Sequence, residues 1–180
     1  MSHMSPMTPE GERLWARNKK GIAESDPKIN LGLSCMPPGF PRSAMGVQPI
    51  GIFQSPKALA MVGEGNDGVL HLIFIDAAHV PGIPPQVEGD AVAHWEGDTL
   101  VTDTANIFDG IFMESTGIPQ SKALHVTQRL RLVNGGKTLE ETLLIDDPVI
   151  FTNPWSAAFD FVRTNFRPPE KFCNENRNAP

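Results

Sequence analysis

Short strand-like runs separated by turn residues recur from Val47 to Phe166, and this regular spacing most constrains the fold of the chain. Runs at about 91–96 and 99–104 flank the turn Glu96-Gly97-Asp98, in which glycine can supply the positive φ that a tight hairpin needs. The segment Asn134-Gly135-Gly136 is a second hairpin signal of the same kind. The pattern therefore predicts a chain built mainly of antiparallel β-hairpins.

Eight strands are predicted in all. They cover residues 50–53, 58–62, 69–76, 91–96, 99–104, 124–133, 138–146 and 155–166. An up-and-down sheet of this many strands usually closes into a barrel, because closure removes the unpaired edges. The sequence thus predicts a mainly β fold, an antiparallel up-and-down β-barrel of the lipocalin-like type, whose interior can hold one small ligand.

One short helix is predicted before the strands. Thr8 is a good N-cap and Pro9 suits the first helical position, whereas Gly21 is typical of a helix end. The Pro-rich stretch Met36–Arg42 is expected to be extended or turn-like and to wrap around the body. Residues 1–4 resemble an expression-tag remnant, and residues 5–180 are expected to form a single domain with a Pro-rich N-terminal wrap and a C-terminal tail.

Charge and motifs exclude several classes of function. The net charge of -6, without a basic run, argues against nucleic acid and anionic membrane surfaces as partners. The chain has no Gly-x-Ser-x-Gly turn, phosphate loop or dinucleotide fingerprint. His71, His79, His94 and His125 are spread without metal-binding spacing, so neither a metal site nor a cofactor is predicted.

After these exclusions, acid–base catalysis is the reaction type that the sequence still allows. Asp103 and His125 are the candidate catalytic residues for it. If both side chains point into the barrel, they form a histidine–carboxylate pair in an apolar lumen, where proton transfer becomes useful. A solvent-facing aspartate and a structural histidine are the plain alternatives. Glu141 and Asp160 could each add a carboxylate, or could be the outward half of an alternating strand.

Two loops are unusually apolar and are predicted to close over a small hydrophobic substrate. The first covers residues 79–86 and the second covers residues 107–113. The predicted substrate pocket comprises Phe108, Phe112, Met113 and Arg129.

Cys35 and Cys173 lie near opposite ends of the chain, and neither belongs to a Cys-x-x-Cys pair. They could be two buried free thiols or a single disulfide that joins the N-terminal wrap to the tail. Export of the protein would favour the disulfide.

Several segments together resemble a large bacterial family of mostly exported, functionally uncharacterised proteins. The segments are Trp95–Thr104, Ser121–Val126, Ile145–Pro148, Phe151–Trp155, the early Cys35–Gly39 and the terminal Cys173–Asn176. The resemblance covers nearly the whole chain. It implies a β-barrel-like body and a periplasmic or secreted location, and it implies no particular reaction.

The chain departs from the family pattern at two polar places. Gln120-Ser121-Lys122 stands where the family commonly has His-Ser-Asp/Glu, and Gln128-Arg129 stands where it commonly has Glu-Arg. Roles carried by relatives at these positions cannot be transferred to this chain. This change in the character of two polar sites would also suit a pocket adapted to an apolar substrate.

These observations, with a general likeness to a terpene-epoxide lyase within that family, predict a cofactor-free lyase or isomerase that opens a small apolar epoxide. Such a reaction needs a proton donor, a base and an apolar enclosure, but no redox group. A lipocalin-like carrier that binds a small hydrophobic molecule without turnover is the alternative. The oligomeric state stays open, and a homodimer is compatible with the sequence.

The predicted disulfide has a direct test. Thiol titration of denatured, unreduced protein should find almost no free thiol, and reduction should release two per chain. Two thiols before reduction, in protein made in an oxidising compartment, would contradict the pairing.

Overall fold

The computed structural model describes residues 4–45, 49–63 and 69–166, which form a mainly β structure with one N-terminal helix. The helix α1 covers Pro9–Ala23, and 3-10 helices cover Leu31–Ser34 and Asn134–Gly136. The strands are β1 (Ile50–Gln54), β2 (Ala58–Gly63), β3 (Val69–Ile75), β4 (Asp90–Glu96), β5 (Thr99–Ala105), β6 (His125–Val133), β7 (Thr138–Asp146) and β8 (Trp155–Val162). All eight predicted strands are confirmed, although β8 ends before Phe166.

Helix α1 begins as the sequence predicts, and its N-terminus is bonded to the segment between β7 and β8. The Thr8 hydroxyl accepts a hydrogen bond from the Gly11 amide at 3.0 Å and donates one to the Val149 carbonyl at 2.6 Å. The Thr8 amide also donates to the Ile150 carbonyl at 2.9 Å. The helix continues to Ala23, two residues beyond the predicted end. Among the described residues, no helix is long and apolar enough to cross a membrane.

The eight strands lie in chain order in one sheet, and neighbouring strands are antiparallel with one exception. Strands β3 and β4 are parallel, with Ile73 opposite Ala91. A parallel pair requires the chain to return to the end from which β3 started. Residues 76–89, hereafter the crossover, make this return. The prediction of a wholly up-and-down sheet is therefore wrong at this pair, because the Pro-rich connector is long enough to cross over.

The prediction of a closed barrel is also wrong. In the described part of the chain, β1 and β8 are not paired, and the sheet is a curled half-barrel. Its buried face is covered by other segments instead, including Phe40 of the N-terminal wrap, Met113 of the loop after β5 and Phe151 after β7. These side chains exclude water from the face, so the apolar surface is buried without closure. The predicted disulfide stays a prediction, because Cys173 lies outside the described residues.

Buried polar side chains separate the core into two apolar clusters. One cluster includes Val126 and Leu143, and the other includes Leu100 and Leu130. Between them, the buried face carries a polar layer formed by Thr102, Thr104, Gln128 and Glu141. Since side chains alternate along a strand, Asp103 lies on the opposite face of β5, hereafter the outer face.

The N-cap provides a test of how the start of α1 and the segment after β7 support each other. Thr8→Ala removes both hydroxyl hydrogen bonds and should lower the free energy of unfolding by about 1–2 kcal/mol. Thr8→Ser keeps the hydroxyl and is the matched control, so it should lose much less. Urea denaturation measures both, and equal losses in the two variants would contradict a capping role.

Candidate active site

Two histidines and two aspartates meet on the outer face near one end of β4, β5 and β6. Val92 pairs with Asp103, which places Asp90 on the same face of the neighbouring strand. Asp103 pairs with Thr127, and His125 lies two residues earlier on β6, again on the same face. The crossover supplies the fourth member, His79.

The Asp103 carboxylate lies between the two imidazoles. Its Oδ2 is 3.2 Å from Nε2 of His79, and its Oδ1 is 3.1 Å from Nδ1 of His125. The two rings are edge-to-face, with centroids 6.5 Å apart. The side chains of His79, Asp103 and His125 are 35, 42 and 47% exposed, so the group is open to small molecules from solution.

Asp90 fixes the orientation of His79. Its Oδ2 lies 3.0 Å from Nδ1 of His79 and accepts a hydrogen bond of 2.9 Å from the Val80 amide. Partial burial acts to lower the pKa of His79, but hydrogen bonds to Asp103 and Asp90 outweigh it and raise the pKa overall. The protonated ring can donate to both carboxylates at once.

The structure brings together the two predicted catalytic residues, Asp103 and His125, but not in a barrel lumen. Their register places them on the outer face, whereas Thr102 and Gln128 occupy the buried face. The pair is half-exposed, so the expectation of an apolar interior around it is wrong. Its catalytic role stays a prediction.

The predicted pocket residues lie in different environments. Phe108 is half-buried and its amide donates to the Gln86 carbonyl at 2.8 Å, which joins the two predicted covering loops. Phe112 and Met113 are buried, Met113 within the core. Arg129 lies on the outer face of β6, where its Nη2 is 2.7 Å from Oε2 of Glu96. A substrate contact by any of them stays a prediction.

The polar layer on the buried face is linked by hydrogen bonds. The Thr102 hydroxyl donates to Oε1 of Gln128 at 3.3 Å, and Nε2 of Gln128 donates to Oε1 of Glu141. Glu141 is only 1% exposed, so it is not the outward half of its strand, whereas Asp160 is exposed. Burial raises the pKa of Glu141 to about 7, against the opposing effect of the Gln128 hydrogen bond.

On the buried side of the sheet, His71 and Glu88 form another pair of ionisable residues. Nδ1 of His71 lies 3.6 Å from Oε2 of Glu88, and Phe40 stacks on the imidazole with centroids 4.4 Å apart. The Ser43 hydroxyl donates to the same Glu88 oxygen at 2.8 Å. Burial lowers the pKa of His71 to about 4 and raises that of Glu88 to about 7. Both groups are therefore mainly neutral between these values.

His79 and Asp90 are site residues that the sequence pattern does not indicate. The pattern places His79 only in a covering loop, and nothing in it distinguishes Asp90. Their contact depends on the parallel crossover, which no local spacing reveals. The pairing of His71 with Glu88 was missed for the same reason. The alternation of β3 does place His71 on the same face as Ile73, but Glu88 lies outside any strand.

A scan against protein-family models finds no match, and neither does a comparison with curated protein sequences. The family resemblance described above therefore rests on its motifs alone.

The buried Glu141 predicts a dependence of stability on pH. Its folded pKa of about 7 lies above the unfolded value of 4.5, so its contribution to stability is fully present below about pH 4.5 and is lost as the pH rises through about 7. Glu141→Gln resembles the protonated side chain. It should reduce the loss of unfolding free energy between pH 5 and pH 8, by at most about 3 kcal/mol.

Urea unfolding at both pH values measures the effect. The exposed neighbour variant Glu140→Gln is the matched control and should keep the wild-type loss, part of which comes from Glu88. If Glu141→Gln lost as much stability as wild type over this range, the assignment would be wrong.

Proposed function

We propose that the protein is a cofactor-free lyase or isomerase that opens a small apolar epoxide by acid–base catalysis. The observation that carries the proposal is the Asp103 carboxylate, held within 3.2 Å of two imidazoles that come from different elements of the fold. A positioned carboxylate beside a histidine combines a proton acceptor and a proton donor in one small volume.

In this proposal His125, as imidazolium, donates a proton to the epoxide oxygen while one carbon–oxygen bond breaks. Asp103, as carboxylate, then removes a proton from a carbon next to the cationic centre, and the electron pair of that carbon–hydrogen bond forms the new carbon–carbon double bond. The product has the same atoms as the substrate. The half-exposed residues exchange protons with solvent and return to their starting state.

The substrate class is supported by the apolar surface beside the site. Phe74 pairs with Val92, which pairs with Asp103, so an apolar row leads across the outer face to the carboxylate. Phe74 is 46% exposed, and Val80, next to His79 in the crossover, is 55% exposed. The sequence also has a general likeness to an α-pinene oxide lyase, which makes α-pinene oxide the first substrate to test.

A binding protein without turnover is the second candidate, because the exposed apolar surface beside Asp103 suits an apolar molecule whether or not the molecule is transformed. A small cavity at the other face of the sheet is lined by apolar side chains including Ala44, Ile50 and Met61, with Ser43 and His71 as its polar groups. It has room for about one water molecule, so a larger ligand would bind at the exposed surface instead. For either function, the family resemblance leads us to propose a periplasmic or secreted location and leaves a homodimer open.

Mutation separates the two candidates. For an enzyme, Asp103→Asn or His125→Ala should lower the turnover of α-pinene oxide by about 10²–10⁴-fold, the usual effect of losing a positioned acid or base. Because both residues are half-exposed, the fold should persist. His94→Ala is the matched control, because His94 lies on the same face but pairs with Glu96 instead, 3.3 Å away.

Gas chromatography of reactions with purified protein gives the turnover directly. Wild-type protein that binds the epoxide but leaves it unchanged over hours would favour the binding protein. Turnover that survives both substitutions would show that other residues catalyse the reaction.

A further inference from the structure

Three potential metal ligands converge on the outer face. His79 and His125 each offer a ring nitrogen and Asp103 offers a carboxylate oxygen, and these atoms all lie within 4.8 Å of one another. Zinc-type ions form bonds of about 2.0–2.1 Å to such ligands, which places neighbouring ligand atoms about 3.3 Å apart in a tetrahedral site. Each histidine lies at about this distance from one oxygen of the Asp103 carboxylate, His79 at 3.2 Å from Oδ2 and His125 at 3.1 Å from Oδ1, so a small adjustment of the side chains brings three ligand atoms around one ion.

The close approach of His125 to Asp103 is not a hydrogen bond. Asp103 Oδ1 is shielded from solvent and has no hydrogen-bond partner among the described residues, although Nδ1 of His125 lies only 3.1 Å away. A carboxylate oxygen that is shielded from water and unbonded is costly for the protein. When the imidazole of His125 is neutral and Nδ1 carries no proton, this nitrogen and the carboxylate oxygen can bind the same cation.

Asp90 adds the outer partner that metal-binding histidines usually have. Its carboxylate lies 3.0 Å from Nδ1 of His79, which leaves Nε2 of the same ring directed towards Asp103. The Val80 amide donates a hydrogen bond to the same Asp90 oxygen and so holds the Asp90 carboxylate in place. A carboxylate on one ring nitrogen fixes the imidazole and makes the other nitrogen a better ligand.

We propose that His79, Asp103 and His125 form a binding site for a divalent transition-metal ion such as Zn²⁺ or Co²⁺, with Asp90 as a positioning residue. Two nitrogens and one oxygen favour these ions over Ca²⁺ and Mg²⁺, which prefer oxygen ligands alone. The half-exposed position leaves a further coordination place open to water. A bound ion occupies the lone pairs of Asp103 and His125 and therefore inhibits acid–base turnover, a consequence that rests on the proposed function.

Binding is tested without reference to activity. Protein treated with a chelator and then freed of it is titrated with Co²⁺, followed by visible absorption, and with Zn²⁺ by calorimetry. Wild type should bind one ion per chain. Asp103→Ala and His125→Ala should abolish this binding, with circular dichroism to confirm folding. Asp90→Asn keeps all three ligands and should weaken binding about 10–100-fold.

His94→Ala is the control, because His94 and Glu96 form an exposed pair on the same face that lacks a third ligand group within reach among the described residues. It should bind like wild type. The proposal is overturned if wild type binds no ion, or if Asp103→Ala and His125→Ala bind as well as wild type does.

Turnover of α-pinene oxide with chelator and with added Zn²⁺ separates this inference from the proposed function. If the enzyme turns over α-pinene oxide in chelator and added Zn²⁺ inhibits it, both the metal site and the proposed acid–base function are supported. Metal binding without turnover in either condition supports the site and refutes α-pinene oxide as a substrate. Turnover that requires Zn²⁺ supports the site and refutes the cofactor-free mechanism. Turnover in chelator, with no metal binding, overturns the site and leaves the enzyme in place.

Discussion

The parallel pairing of β3 with β4 is the constraint on which both polar sites depend. Because parallel neighbours point the same way, the chain must return along the sheet before β4 can begin, and residues 76–89 make that return. The crossover carries His79 to the outer face and Glu88 to His71 on the buried face. A tight hairpin turn between β3 and β4 would be too short to contain His79 and Glu88.

The strands and the helix start could be predicted because their signals are local. Thr8 and Pro9 mark the beginning of α1, and the Asn134–Gly136 turn marks the hairpin between β6 and β7. Alternation also shows that His125 and Arg129 share one face of β6. These features depend on residues close together in the chain, where propensity and turn geometry are sufficient.

The buried face of β5 could not be predicted, because polar residues occupy both of its faces. On β5, Thr102 and Asp103 are both polar, yet Thr102 is fully buried and Asp103 is half-exposed. Gln128 is likewise fully buried, next to Glu141. A hydrophobic pattern identifies the core face only where that face is apolar. Here it carries a hydrogen-bonded layer, so Asp103 could equally have faced inwards.

The crossover has a further consequence for motion. It has no strand ladder of its own, and it is held by separate contacts such as the Gln86 amide on the Asn106 carbonyl and the Val80 amide on the Asp90 carboxylate. An amide protected by a side chain exchanges its hydrogen with solvent once that side chain releases it. The Val80 amide is therefore a native-state hydrogen-exchange reporter of the crossover at the outer site, one that does not depend on opening of the sheet.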